Sequence, residues 1–194
     1  MKKMTPILYC KPSEEGKAVS VLWLGGQNAA NDLALLRQND ITARICLKGV
    51  WGCKKCGDIE DLQPFMIHDV IGWGDNLSED AFRACKAPFK AVERILSGQS
   101  RSILVFCKQG ARRAASFAAM FLMAKCRLRG DAAYNHVKGC RAIVEDNVRN
   151  VAEYFERIFD LWQHWTPMDS VAECPIVARP EQLVVVFVLF SSLR

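Results

Sequence analysis

Cys107, Gly110 and Arg113 stand within seven residues of one another, in the run Ser-Ile-Leu-Val-Phe-Cys-Lys-Gln-Gly-Ala-Arg-Arg that spans residues 102–113. Each can do a separate job at a bound anion. The five residues before the cysteine form a short, mainly apolar run with β-branched Ile103 and Val105, which reads as a buried strand. Residues 114–124, rich in Ala, Met, Phe and Leu, read as a strong helix former. The cysteine is therefore expected at the end of a strand, in a tight loop, just before a helix N-terminus. Unpaired N–H groups and the positive end of the helix dipole meet there, which makes a phosphate site. The same field stabilises a thiolate, the nucleophilic form of cysteine. Gly110 lets the loop curl so that its N–H groups converge. Arg113, on the first helical turn, can fork two phosphate oxygens.

The loop Cys107-Lys108-Gln109-Gly110-Ala111-Arg112-Arg113 resembles the Cys-x5-Arg signature of the protein tyrosine phosphatase superfamily. The short chain is similar to its dual-specificity branch. That resemblance covers roughly residues 18–163. It implies an α/β domain with a central four- to five-stranded sheet, flanked by helices on both sides, with the site at the C-terminal end of the strand 102–106. It also implies a two-step hydrolysis of phosphate monoesters. Cys107 attacks phosphorus to give a phosphocysteine, and water then hydrolyses it. Lys108, Gln109, Gly110, Ala111, Arg112 and Arg113 form the substrate cradle. No metal or other cofactor is required, because the loop N–H groups and Arg113 carry the charge.

The general acid should be an aspartate on a mobile loop. Asp75 is the favoured residue: it lies 32 positions before Cys107, follows Gly74 and opens an Asp-Asn pair, a placement similar to that in dual-specificity enzymes. Asp69 is the runner-up, and Asp80 reads better as a helix-start charge. Two positions depart from the family pattern. The residue before the nucleophile is commonly His and here is Phe106; the residue after the arginine is commonly Ser or Thr and here is Ala114. The first change is expected to loosen the loop or weaken its hold on the thiolate. The second is expected to slow release of the phosphocysteine. Ala at that position resembles the phosphatase of regenerating liver subfamily. The same likeness implies that Cys46, at the end of the second strand, is a redox partner for Cys107, set against the plain reading of a buried apolar cysteine.

The elements that must position this loop are legible around it. Residues 1–16, largely polar with Pro6, Pro12 and Gly16, read as an N-terminal extension ahead of a catalytic domain over 17–165. Val19–Leu24 and Ile41–Leu47 read as strands, with one helix over Asn28–Gln38 between them. Residues 48–64 form a polar loop. Its Cys53 and Cys56 supply two ligands where structural zinc takes four, so no metal is expected. Residues 65–68 read as a short strand. A helix begins near Ser78 and carries Phe82, Cys85, Phe89, Val92 and Leu96 on one face, with a kink at Pro88. Helices follow from Gly130 and over 147–162. A C-terminal tail over 166–194 includes the apolar run Leu183–Phe190, too short to span a bilayer.

Composition bounds the partners. The net charge of +5 in 194 residues is mild and dispersed, which suits an anionic substrate without arguing for nucleic acid. No apolar stretch is long enough for a transmembrane helix, and the N-terminus lacks the apolar core of a secretory signal. Nine irregularly spaced cysteines read as free thiols of a reducing compartment, hence cytoplasm or nucleus. The expected partner is a phosphorylated protein. Lys108 and Arg112 also favour multiply charged substrates, which keeps a phosphoinositide phosphatase open. Phe106 and Ala114 keep open a phospho-binding module with negligible turnover.

Overall fold

The computed structural model describes residues 3–10, 19–47, 66–67, 85–96 and 102–159. Five strands form one sheet: β1 (Met4–Cys10), β2 (Ser20–Gly26), β3 (Ile41–Cys46), β4 (Met66–Ile67) and β5 (Ser102–Cys107), in the order β1-β2-β5-β3-β4. All neighbours are parallel except β1, which runs antiparallel to β2. The strand that carries the cysteine is central. Every residue of β5 is buried, as expected for a parallel strand covered on both faces, and this is why its sequence is apolar without alternation. Its register sets Gly26 opposite Cys107 on one side and Cys46 opposite Phe106 on the other.

Helices cover both faces. On one lie α1 (Gln27–Ala30) and α2 (Leu33–Gln38), packed over Leu104, Phe106, Ile41 and Cys46. On the other lie α3 (Lys86–Leu96), α4 (Arg113–Cys126), α5 (Gly130–Cys140) and α6 (Asn147–Phe159), packed over Ile103, Val105 and Cys107. Helix α4 is buried nearly all round, and its alanines 114, 115, 118 and 119 allow close approach. Phe117 and Phe121 meet Phe89 of α3 edge-on, with ring centroids 4.9 Å and 5.8 Å away, an arrangement that aromatic quadrupoles favour. Among the described residues, no helix is long and apolar enough to cross a membrane.

Two local expectations are corrected. Residues 4–10, read as part of an extension, form the edge strand β1. Ile7, Leu8 and Cys10 are buried in the core. Pro6 falls at the register irregularity between Pro6 and Leu8, where a missing N–H is tolerated. The single helix expected over 28–38 is two helices. The Asp32 carboxylate accepts the Leu35 N–H at 3.1 Å, capping a new start. Of the helix expected from Ser78, residues 78–84 lie outside the described residues, and the described helix runs over Lys86–Leu96. Pro88 therefore sits in the first turn, whose N–H groups have no intrahelical acceptor.

Candidate active site

Strand β5 ends on Cys107, and the chain turns at once into the loop that precedes α4. Gly110 makes that turn at φ +72°, and a side chain there would bring Cβ to 2.3 Å from the Gly25 carbonyl oxygen. Only glycine satisfies both the left-handed backbone and the space. The Gly110 N–H then donates to Cys107 Sγ at 3.2 Å, with Cys107 4% exposed at the floor of the loop. Ala111, also buried, continues the curve, and Ser116 N–H donating to the Arg112 carbonyl at 2.7 Å starts the helical ladder.

The loop is held from outside by its carbonyls. Lys108 C=O accepts from the Gln27 N–H at 3.2 Å, and Ala111 C=O accepts from the Glu145 N–H at 2.9 Å. Between them, the Arg141 guanidinium donates Nη2 to the Gln109 carbonyl and Nε to the Gly110 carbonyl, both at 3.1 Å. Four consecutive carbonyls, 108 to 111, are thus tied to the surrounding protein. A peptide's N–H points opposite to its C=O, so holding this run of oxygens outward leaves the intervening N–H groups on the other side of the loop, where that of Gly110 meets the sulfur. Backbone N–H groups so arranged are able to hold an oxyanion.

Arg141 caps α5 at its C-terminus and is 5% exposed. Burial draws its guanidinium below the ordinary arginine range, and the neighbouring Cys107 acts in the opposite direction. A buried guanidinium is tolerated when its donors are matched; here a third contact runs from Nη1 to the Thr5 hydroxyl at 3.4 Å. The turn that carries Arg141 and Glu145 is itself pinned. Tyr134 Oη donates to Asp146 Oδ1 at 2.6 Å, and Lys138 Nζ reaches the same oxygen at 3.3 Å as well as the Val144 carbonyl.

Arg113 leaves the loop toward β3, donating Nη1 to the Leu47 carbonyl at 3.1 Å. On the β2 side, a cleft of about 460 Å³ runs beside the loop, lined among others by Lys3, Asn28, Lys108, Gln109, Arg141 and Glu145. Among the described residues, no group of three His, Cys, Asp or Glu side chains is placed to hold a metal ion.

No protein-family model matches the chain, and no curated protein matches it by sequence. Solved structures do. Human DUSP28 is 20% identical, with 80% of this chain and 96% of that chain covered and a TM-score of 0.57. The human tyrosine phosphatase-like serine/threonine/tyrosine-interacting protein is 20% identical over 78% of this chain and 97% of that chain, with a TM-score of 0.57. A mouse putative dual specificity phosphatase complexed with zinc tungstate is 21% identical over 82% of this chain and 93% of that chain, with a TM-score of 0.50. The fold is that of the dual-specificity phosphatases.

Within this dual-specificity phosphatase fold, Cys107, Gly110 and Ala111 lie on one loop after β5 and Arg113 opens α4, its side chain turned to the Leu47 carbonyl. Lys108 and Gln109 are exposed on the rim. Arg112 faces outward, its Nε 3.3 Å from Glu145 Oε2 with both side chains 46% exposed, so this ion pair adds little to stability. Asp75, Asp69 and Asp80 lie outside the described residues, as do Cys53, Cys56 and the tail 166–194. Cys46 and Cys107 are not joined in a disulfide. Cys46 shares a face with Phe106 under α1 and α2, whereas Cys107 belongs to the opposite core. A disulfide between them requires the backbone to move. Phe106 is 1% exposed in that same apolar cluster, and Ala114 is fully buried under the other helices. Sequence reasoning missed the part played by Arg141 and Thr5. Arg141 is an isolated cation in Gly-Cys-Arg-Ala, well past the nucleophile loop, and nothing in its neighbours marks it as a loop contact.

Proposed function

We propose that the chain is a cysteine-dependent dual-specificity phosphatase that removes phosphate from phosphotyrosine and phosphoserine/threonine of protein substrates. The observation that supports this best is the Gly110 N–H on Cys107 Sγ at 3.2 Å, in a loop whose carbonyls are held away from the sulfur. In this reading Sγ attacks phosphorus and the P–O bond of the ester breaks. The leaving oxygen takes a proton from Asp75, the loop N–H groups and Arg113 carry the charge of the equatorial oxygens, and a phosphocysteine results. Water, deprotonated by the Asp75 carboxylate, then breaks the S–P bond and frees phosphate. The second step is slow, because Ala114 offers no hydroxyl to the departing sulfur.

A phospho-binding module with negligible turnover is the second reading. Phe106, buried among apolar side chains, and Ala114 favour it. Quenched-flow hydrolysis of a small aryl phosphate separates the two. A burst equal to the enzyme present, absent in Cys107→Ser and followed by slow turnover that Ala114→Ser speeds up, is the expected result. No burst and no Cys107-dependent phosphate release would leave the binding module. Faster release from phosphoinositides than from phosphopeptides would change the substrate class and keep the chemistry.

A further inference from the structure

The buried guanidinium of Arg141 has no place in the two-step chemistry, yet it holds half of the loop's tethered carbonyls. Its three kinds of nitrogen go to three acceptors: Nε to Gly110 C=O, Nη2 to Gln109 C=O, and Nη1 to the Thr5 hydroxyl. Thr5 is 8% exposed on β1, far from the loop in sequence. The strand is held at the same end: the Gly26 N–H donates to the Lys3 carbonyl at 3.4 Å, and Lys3 Nζ meets Asp32 at 2.7 Å. The next N–H, that of Gln27, ties Lys108. The N-terminal strand therefore reaches the loop carbonyls by two routes, through Arg141 and through the end of β2.

We infer that Arg141 is a positioning residue that shapes the anion cradle, and that Thr5 on the N-terminal strand sets its placement, so that β1 governs how well the loop holds an oxyanion. This rests on the phosphatase reading of the loop. Two successive carbonyls need a planar fork, and a lysine ammonium cannot span both in that geometry. Losing the Thr5 hydroxyl removes the anchor that Nη1 has on β1 and so loosens the placement of the guanidinium against the loop carbonyls.

The test is the affinity of the full chain for tungstate, measured by calorimetry well below each variant's Tm and paired with kcat and KM on an aryl phosphate. Arg141→Lys is expected to weaken tungstate binding by about tenfold and Thr5→Val by about threefold. In both variants kcat should fall more than KM rises. Thr5→Ser, which returns the hydroxyl, should restore what Thr5→Val loses; a purely space-filling Thr5 would give the reverse. Tungstate binding by folded Arg141→Lys and Thr5→Val equal to wild type, or Thr5→Ser as weak as Thr5→Val, overturns the inference. If Arg141→Lys fails to fold, the Thr5 pair decides alone. A wild-type chain that binds no tungstate overturns the phosphatase reading and this inference with it. Binding by wild type with unchanged variants overturns only the inference.

Discussion

Gly110→Ala puts a single methyl group where the structure leaves no room for one. The new Cβ would lie 2.3 Å from the Gly25 oxygen and 2.5 Å from its carbon, against an ordinary contact of at least 3.4 Å. The loop must therefore lift by roughly 1 Å from the end of β2. The left-handed backbone adds about 1–2 kcal/mol for any L side chain, and the overpacking about 1–3 kcal/mol. At ~2–4 °C per kcal/mol for a domain of this size, Tm should fall by roughly 10 °C. The chemistry should suffer more. A displacement of about 1 Å in a group that positions the reaction costs about a hundredfold, which is about 2.7 kcal/mol in the barrier. The assay is kcat/KM on an aryl phosphate, at a temperature where both proteins are folded, beside thermal denaturation. Gly139→Ala in α5 is the matched control: a Cβ there meets nothing within 4 Å. That variant should keep its activity and gain about 0.5–1 kcal/mol of stability. Gly110→Ala within threefold of wild type in kcat/KM would refute the idea that the cradle depends on this approach of loop to strand.

Phe106→His, which restores the residue common before the nucleophile, is expected to cost about 2–4 kcal/mol. The reason is that Phe106 is 1% exposed and packs in an apolar cluster with Leu104, Cys46, Leu36 and Ala29. Thermal denaturation beside tungstate titration checks it; unchanged Tm with tighter binding would show that the imidazole finds the loop after all. Acid should weaken the turn that carries Arg141. The Tyr134 hydroxyl first, and the Lys138 ammonium second, hold the Asp146 carboxyl below its usual range. A carboxylate depressed in the folded state contributes stability above its unfolded pKa and loses it as pH falls through the folded one. Wild type should therefore lose Tm between about pH 5 and 3 more steeply than Asp146→Asn, and parallel Tm curves would refute the role of this pair.

What was legible in the sequence was local. The apolar run 102–106, the glycine three residues past the cysteine and the alanine-rich segment after Arg113 specify strand, turn and helix by propensity and backbone freedom alone, and these pieces fall where they were expected. The misses have one cause, competition from groups that a window of sequence does not weigh. Asp32 divides a leucine-rich helix because its side chain takes a backbone N–H, a choice that composition does not display. Residues 4–10 read as an extension, with the largely polar stretch 1–16 and its Pro6, Pro12 and Gly16, yet an edge strand with a register irregularity accommodates Pro6. The likeness to the phosphatase of regenerating liver subfamily alone offers Cys46 as a partner of Cys107. The pairing of Cys46 with Phe106 and a strand's period of two put the two thiols on different faces.

The site extends that lesson from register to support. Phe106 replaces the side chain that the resemblance assigns to holding this loop and Ala114 the hydroxyl that it assigns to release of the cysteine, and neither side chain can donate or accept a hydrogen bond. The structure puts other groups in contact with the same loop: Gln27 after β2, Leu47 after β3, and Arg141 with Glu145 between α5 and α6. None of these contacts is local in sequence; Leu47 and Arg113 stand 66 positions apart, and Gly110 and Arg141 stand 31 apart. They cannot form until the sheet and the α5–α6 turn are assembled. A nucleophile loop held in this way inherits the cooperativity of the whole domain. Its anion affinity should therefore follow global stability under denaturant, with no separate earlier transition at the loop. A tungstate-binding loss that preceded unfolding would mean that the loop is organised by its own seven residues, and that the tethers to the rest of the domain are incidental.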